Sequence, residues 1–197
     1  MGPGKEKSIL THLFKGWIIL KKGILVCGLN GSGKSTLGRE LAKMLGYGFI
    51  DIEDCYFPKN DPEYLYAEPR TGEEAEEILR EKISACENFV LASVAGNFDE
   101  EITSRFTVIV RINVPKEIRM KRIRERSFRK FGERMLCGGD LYETEENFFA
   151  MVEARTEQYV DDRLGKINCR IIQIDGTKSV SENAEYIMKS LTESNFQ

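Results

Sequence analysis

The chain has 197 residues with 41% apolar character, so one domain of ordinary size can bury a sizeable core. Its formal net charge is only -3, which gives no global basic footprint for nucleic acid. One histidine, His12, makes a histidine-based metal site or a Ser-His triad improbable, and five cysteines with no C-x-x-C pair argue against a disulfide framework. Reduced thiols in a cytoplasmic protein are the simplest reading.

Residues 1–22 read as an N-terminal arm. "MGPGKEK" has the composition of a disordered leader, and "SILTHLFKGWIIL" (8–20) is apolar but interrupted by Lys15. It is too short to span a bilayer. No small-residue cleavage site follows it, which argues against a signal peptide. A helix or arm packed on the domain is expected; a membrane-facing or oligomer-forming segment is the alternative.

From residue 23 the pattern alternates between strand and helix. "GILVCG" (23–28) is a continuous apolar run ending in Gly, as expected of a buried parallel strand. Leu37, Leu41 and Leu45 recur at helical spacing until Gly46. "YGFIDI" reads as a second strand, and residues 54–70, with three prolines, as a long loop or lid. Thr71 and Glu74 form a possible capping box before a helix faced by Ala75, Leu79, Ile83 and Cys86. "NFVLASVAG" and "FTVIVRINV" are the third and fourth strands, and Pro115 opens a helix rich in Arg and Lys. Residues 131–142 are irregular. One helix carrying Phe148, Phe149, Val152, Tyr159 and Val160 follows, then the strand "CRIIQIDG" and a last helix capped by Ser179 and Glu182. This order predicts a three-layer α/β fold with a central parallel sheet of about five strands. Residues 23–197 form one domain, with a lid near 127–143.

The run from Gly28 to Ser35, G-L-N-G-S-G-K-S, is G-x-x-x-x-G-K-[ST] between a strand and a helix. Glycines there let successive backbone N–H groups surround phosphate oxygens, and the helix start presents positive charge to them. Gly28, Asn30, Gly31, Ser32, Gly33, Lys34, Ser35 and Thr36 are therefore the expected ATP-binding set. Lys34 is expected on the β- and γ-phosphates and Ser35 on Mg²⁺. No N/T-K-x-D base reader and no ABC signature are found, and no strand ends in the Asp-Glu pair of large motor domains.

Two further clusters point to transfer onto a second substrate. Asp51, Glu53 and Asp54 follow the second strand, where carboxylates can hold Mg²⁺ or take the proton of an attacking hydroxyl. Asp51 and Glu53 share a face if the strand continues; Asp54 swings inward if it ends at 51. Residues 116–134 contain nine Lys or Arg against three Glu. Arg122 and Arg126 lie four apart on one helix face, with Arg119 and Arg129 extending the stripe, and arginines so placed can stabilise a transferring phosphoryl group. A solvated, salt-bridged face is the alternative.

These residues carry a resemblance. "GSGKSTLGRELAKMLGYGFIDIED" (31–54) resembles the start of shikimate and gluconate kinases. The chain from residue 23 onward resembles the P-loop small-molecule kinases of the adenylate, shikimate and gluconate kinase group. That resemblance places Asp51 on Mg²⁺ and Glu53 on the acceptor. "DCYF" is similar to the D-x-F-Y of uridine kinase, which would instead give Asp54 the accepting hydroxyl. "VPKEIRMKRIRER" resembles the adenylate kinase segment leading into its lid and assigns Arg122 and Arg126 as lid arginines. "ARTEQY" implies that Arg155 contacts phosphate. "GEEAEEILREKI" resembles a shikimate kinase segment and suggests Arg80 for an anionic substrate group, with Arg70 competing. "IDGTKS" is similar to the turn along adenine. The implied activity is transfer of the γ-phosphate of Mg·ATP to a small acceptor by a monomer or homodimer, without nucleic acid or membrane. Lys34, Asp54, Arg122 and Arg126 are the expected catalytic set. An ATP-binding regulatory ATPase is the alternative.

Overall fold

A computed structural model describes residues 22–193, except Pro62, Leu65 and Asn97. The expected arm, Lys22 apart, lies outside the described residues. The elements run β1 (Gly23–Cys27), α1 (Lys34–Leu45), β2 (Gly48–Asp51), α2 (Ile52–Tyr56), α3 (Gly72–Ala85) and β3 (Phe89–Ser93). They continue with α4 (Glu100–Thr103), β4 (Phe106–Asn113), α5 (Lys116–Phe131), α6 (Tyr142–Ala154), α7 (Glu157–Leu164), β5 (Arg170–Asp175) and α8 (Val180–Glu193). The five strands form one all-parallel sheet in the order β2-β3-β1-β4-β5. This is the three-layer α/β architecture expected.

Strand β1 lies between β3 and β4 and is buried along its length, which explains its unbroken apolar sequence. Alternate residues face opposite layers. Ile24 and Val26 pack with Leu37 and Leu41 of α1 and Ile187 of α8. Leu25 and Cys27 pack with Leu79 and Ile83 of α3 and Val160 and Leu164 of α7. A side chain the size of Leu contributes about 1.5–3 kcal/mol when fully buried, so these layers hold the strand ends in place. The capping box at Thr71 is formed, with Glu74 N–H donating to Thr71 Oγ1 at 3.2 Å and Thr71 N–H to Glu74 Oε2 at 2.9 Å.

Three local features differ from the sequence expectation. The long loop begins as helix α2, because the Asp51 carboxylate caps it by accepting from Glu53 N–H at 3.1 Å. Asp99 likewise caps α4, accepting from Ile102 N–H at 2.9 Å. The expected single helix across 148–160 is two, broken at Arg155, whose backbone is extended (φ -72°, ψ 128°). The break lets each half bury its own face. Phe149 and Val152 of α6 pack with Ile123 of α5, while Val160 and Leu164 of α7 pack on the sheet.

The segment expected as a lid finishes α5, makes a 3₁₀ turn (Gly132–Met135) and closes through an Arg134–Asp140 ion pair at 2.6 Å. The loop after α2 packs onto it. Tyr64 and Phe131 rings are 5.3 Å apart, and Tyr64 O–H donates to buried Glu145 at 3.1 Å. Among the described residues no helix is long and apolar enough to cross a membrane.

Candidate active site

The sequence between β1 and α1 dictates the site. Gly31 and Gly33 adopt positive φ, +81° and +96°. At Gly31 a Cβ would also come within 2.6 Å of the Arg119 carbonyl, so the loop rests directly on the start of α5. Gly33 precedes the first turn of α1, which opens without a side-chain cap. Its free N–H groups are the donors an anion would satisfy.

A cleft of about 210 Å³ lies over this loop. It is lined by Asn30, Gly31, Gly33, Lys34, Ser35, Thr36, Glu53, Arg122, Ile123 and Arg126. A second cleft, about 240 Å³, adjoins it and shares Gly33, Thr36 and Arg122. Its other walls come from Ser32, Leu37, Ile112, Ile174, Gly176, Lys178, Val180 and Asn183. The first is polar and cationic; the second is a slot between aliphatic side chains, beside the turn "DGTK". The Ser32 hydroxyl is buried there without a partner among the described residues.

Lys34 is buried, and its Nζ donates to the Leu29 carbonyl at 3.3 Å. Burial pushes its pKa down from 10.5 to about 8, and Arg126 adds to the lowering; the Glu53 and Asp51 carboxylates pull it back up. A cation kept in place at that cost suits an incoming anion.

The acidic cluster divides. Strand β2 ends at Asp51, a buried residue at the N-terminus of α2. Helical geometry then turns Glu53 into the cleft with Lys34. Asp54 faces out and pairs with Lys59, both side chains more than two-fifths exposed. Asp54 was expected to swing inward if the strand ended at 51. The strand does end there, but the helix that follows carries Glu53 inward instead.

The basic helix also divides. Arg122 donates both Nη1 and Nη2 to the Gly176 carbonyl at 3.1 Å, and it lines both clefts. Arg126 lines the polar cleft. Arg119 is buried beneath the loop, with Nε donating to Val114 O at 3.1 Å and Nη1 to Asn30 O at 3.4 Å. Arg129 is exposed. Arg155, at the break between α6 and α7, donates to Asn30 Oδ1 at 2.8 Å. Among the described residues Arg119, Arg122, Arg126 and Arg155 form no ion pair, whereas Arg111 and Arg134 each pair with carboxylates.

The two arginines expected on an anionic acceptor group lie elsewhere. Arg80 is spent on Glu76 (3.4 Å), Glu101 (3.8 Å) and Asp99, so it ties α3 to α4. Arg70 donates to the Cys55 carbonyl at 2.8 Å and ties the loop to α2. Neither lines the cleft. The wall residues Lys178 and Ile174 fall in the segment expected along adenine, whereas sequence reasoning missed Ile123 and Asn183. Asn183 is buried on α8 and donates to Asp175 O at 2.9 Å, and a polar residue set within the apolar stripe of that helix is the signal for it.

Among the described residues no cluster of three His, Cys, Asp or Glu could hold a metal alone. Ser35 and Asp51 offer only oxygen donors, which suits Mg²⁺ held by one or two protein oxygens, phosphate and water.

Residues 24–136 match the family model described as AAA domain. The uncharacterized protein YqaC of Bacillus subtilis (strain 168) is 25% identical over 181 residues, 88% of this chain and 99% of that one. A shikimate kinase of Francisella tularensis subsp. novicida (strain U112) is 34% identical over 84 residues. That match spans 40% of this chain and about half of the enzyme (48%). Similar solved structures include a gluconokinase from Sinorhizobium meliloti 1021 (TM-score 0.52, 17% identity, 90% of this chain and 97% of that one). A shikimate kinase from Aquifex aeolicus vf5 also aligns (TM-score 0.53, 22% identity, 88% and 98%). So does a deoxyadenosine kinase from M. mycoides (TM-score 0.52, 17% identity, 87% and 99%). At these identities the likeness is one of fold.

Proposed function

The chain belongs to the P-loop family described as AAA domain, and from that membership and the charges of its cleft we propose that it transfers the γ-phosphate of Mg·ATP to a small-molecule acceptor. The observation that carries this reading is the unpaired cations. Lys34, Arg122 and Arg126 line one cleft over a glycine loop, shared with the single acid Glu53, and Arg155 reaches the same loop; among the described residues none of these four cations is in an ion pair. Such a set is suited to spread phosphate charge.

In this reading the aliphatic slot takes adenine and the loop amides with Lys34 take the triphosphate. Ser35 and Asp51 would hold Mg²⁺, which when bound neutralises charge on the β- and γ-phosphates. Glu53, not Asp54, orients or deprotonates the acceptor, because Glu53 is the acid that shares the cleft with Lys34. Arg122, Arg126 and Arg155 close over the transferring group. Strand β3 ends in Ala92 and Ser93, so the sheet lacks there the acid pair with which a motor domain would order water. This favours transfer over hydrolysis.

The test is ADP release from Mg·ATP by the full chain, alone and against a panel of nucleosides, nucleoside monophosphates, sugar acids and cyclic hydroxy acids. Turnover near zero in water that rises with one class supports the proposal. Steady hydrolysis indifferent to every addition would show a regulatory ATPase instead.

A further inference from the structure

We propose that Asn30 is a positioning residue for the transferring phosphate: its amide oxygen holds the Arg155 guanidinium at the γ-phosphate end of the cleft while leaving that charge uncompensated. The inference rests on the nucleotide-binding reading and adds to it a residue that senses the third phosphate.

Asn30 is buried, and both of its oxygens are taken by arginines from different parts of the fold. Arg119 of α5 donates to its main-chain carbonyl at 3.4 Å, and Arg155, between α6 and α7, donates to Oδ1 at 2.8 Å. The main chain is further fixed because Gly31 sits against the Arg119 carbonyl, and Arg119 is itself anchored to Val114 O at 3.1 Å. The loop therefore cannot drift, and the Asn30 side chain presents its oxygen at a defined place. That place lies outside the base slot: Asn30 lines the polar cleft with Lys34 and Glu53 and is not a wall of the slot.

The amide matters because of what it is not. Arg155 has no ion pair among the described residues; besides Asn30 it lies 5.6 Å from the centre of the Tyr159 ring. A carboxylate at position 30 would draw the guanidinium into a charge-assisted pair and set a negative charge beside the phosphate. An apolar residue would leave Arg155 unheld. An amide oxygen engages one of five N–H donors and leaves the others, with the full charge, for phosphate oxygens. The resting contact also bridges the loop to the α6–α7 break, so the arginine arrives pre-oriented rather than recruited from solvent.

The experiment needs no acceptor. Calorimetric titration of the full chain with Mg·AMP-PNP and with Mg·ADP gives the preference for triphosphate over diphosphate. We expect Asn30→Ala and Arg155→Ala each to lower that preference about tenfold, the scale of one hydrogen bond to a charged group. The double variant should fall no further than either single one. Asn30→Asp, which keeps the side-chain shape, should fall further than Asn30→Ala. Additive losses, or an unchanged preference in Asn30→Asp, would overturn the inference while leaving nucleotide binding intact. Wild-type protein that binds neither nucleotide overturns the nucleotide reading and this inference together.

Discussion

Replacing Lys34 with Met should stabilise the ligand-free protein at neutral pH, although it removes the residue expected to matter most for activity. The side chain is buried, and its one hydrogen bond among the described residues is to Leu29 O at 3.3 Å. Folding lowers its pKa from 10.5 to about 8 through desolvation. The unfolded chain thus binds the proton more tightly than the folded one. Wild-type stability carries the full cost below about pH 8 and recovers as pH rises from there toward 10.5. The separation of the two values corresponds to about 3 kcal/mol at pH 7 and to about 1 kcal/mol near pH 9.5. Met is unbranched, uncharged and adaptable in shape, so Lys34→Met should gain stability of that order at pH 7 and less at pH 9.5. Urea denaturation of both proteins at the two pH values measures this. Because every other titrating group is common to both, the difference isolates Lys34. The same samples with Mg·AMP-PNP should reverse the order, since only wild type offers the cation to the phosphates. A variant no more stable than wild type at pH 7, or a difference that does not shrink with pH, would refute the account of Lys34 as a charge stored for the ligand.

Four further outcomes are expected. Glu53→Gln should slow acceptor-dependent ADP release by about 10²- to 10⁴-fold. Asp54→Asn should change it by less than a few-fold and cost under about 1 kcal/mol, because its pair with Lys59 is exposed; the reverse order of the two effects would return the acceptor role to Asp54. Tyr64→Phe removes the hydroxyl that donates to Glu145, whose Oε2 is buried without a partner among the described residues, and should cost about 1–3 kcal/mol in chemical denaturation. Gly31→Ala places a Cβ 2.6 Å from the Arg119 carbonyl at a φ of +81°, so it should abolish Mg·ADP binding in calorimetry; retained affinity would mean that the loop does not rest on α5 as described.

The sequence by itself determined the layer order, the parallel sheet and the phosphate loop. Each of these is written locally: an unbroken apolar strand, glycines at fixed spacing, and leucines every four residues on α1. The caps at Thr71 and Ser179 were legible for the same reason, since a capping box involves residues only three apart. The sequence could also say that Asp51, Glu53 and Asp54 were near the site, but not which faced it. That depended on whether residue 52 continued the strand or began a helix, and Asp51 decided it by capping α2 with its own carboxylate. The arginines posed the same problem on a larger scale. Arg80, Arg122, Arg126 and Arg155 are equivalent as letters, and only the tertiary structure shows which have carboxylates beside them. Arg80 meets Asp99 and Glu101 because α4 packs near α3. Arg155 meets Asn30 because the chain breaks between α6 and α7, 125 residues away from the loop it touches. A charge keeps its availability for a ligand only where no opposite charge is brought within reach, and for partners so distant along the chain that is fixed by packing, not by local pattern.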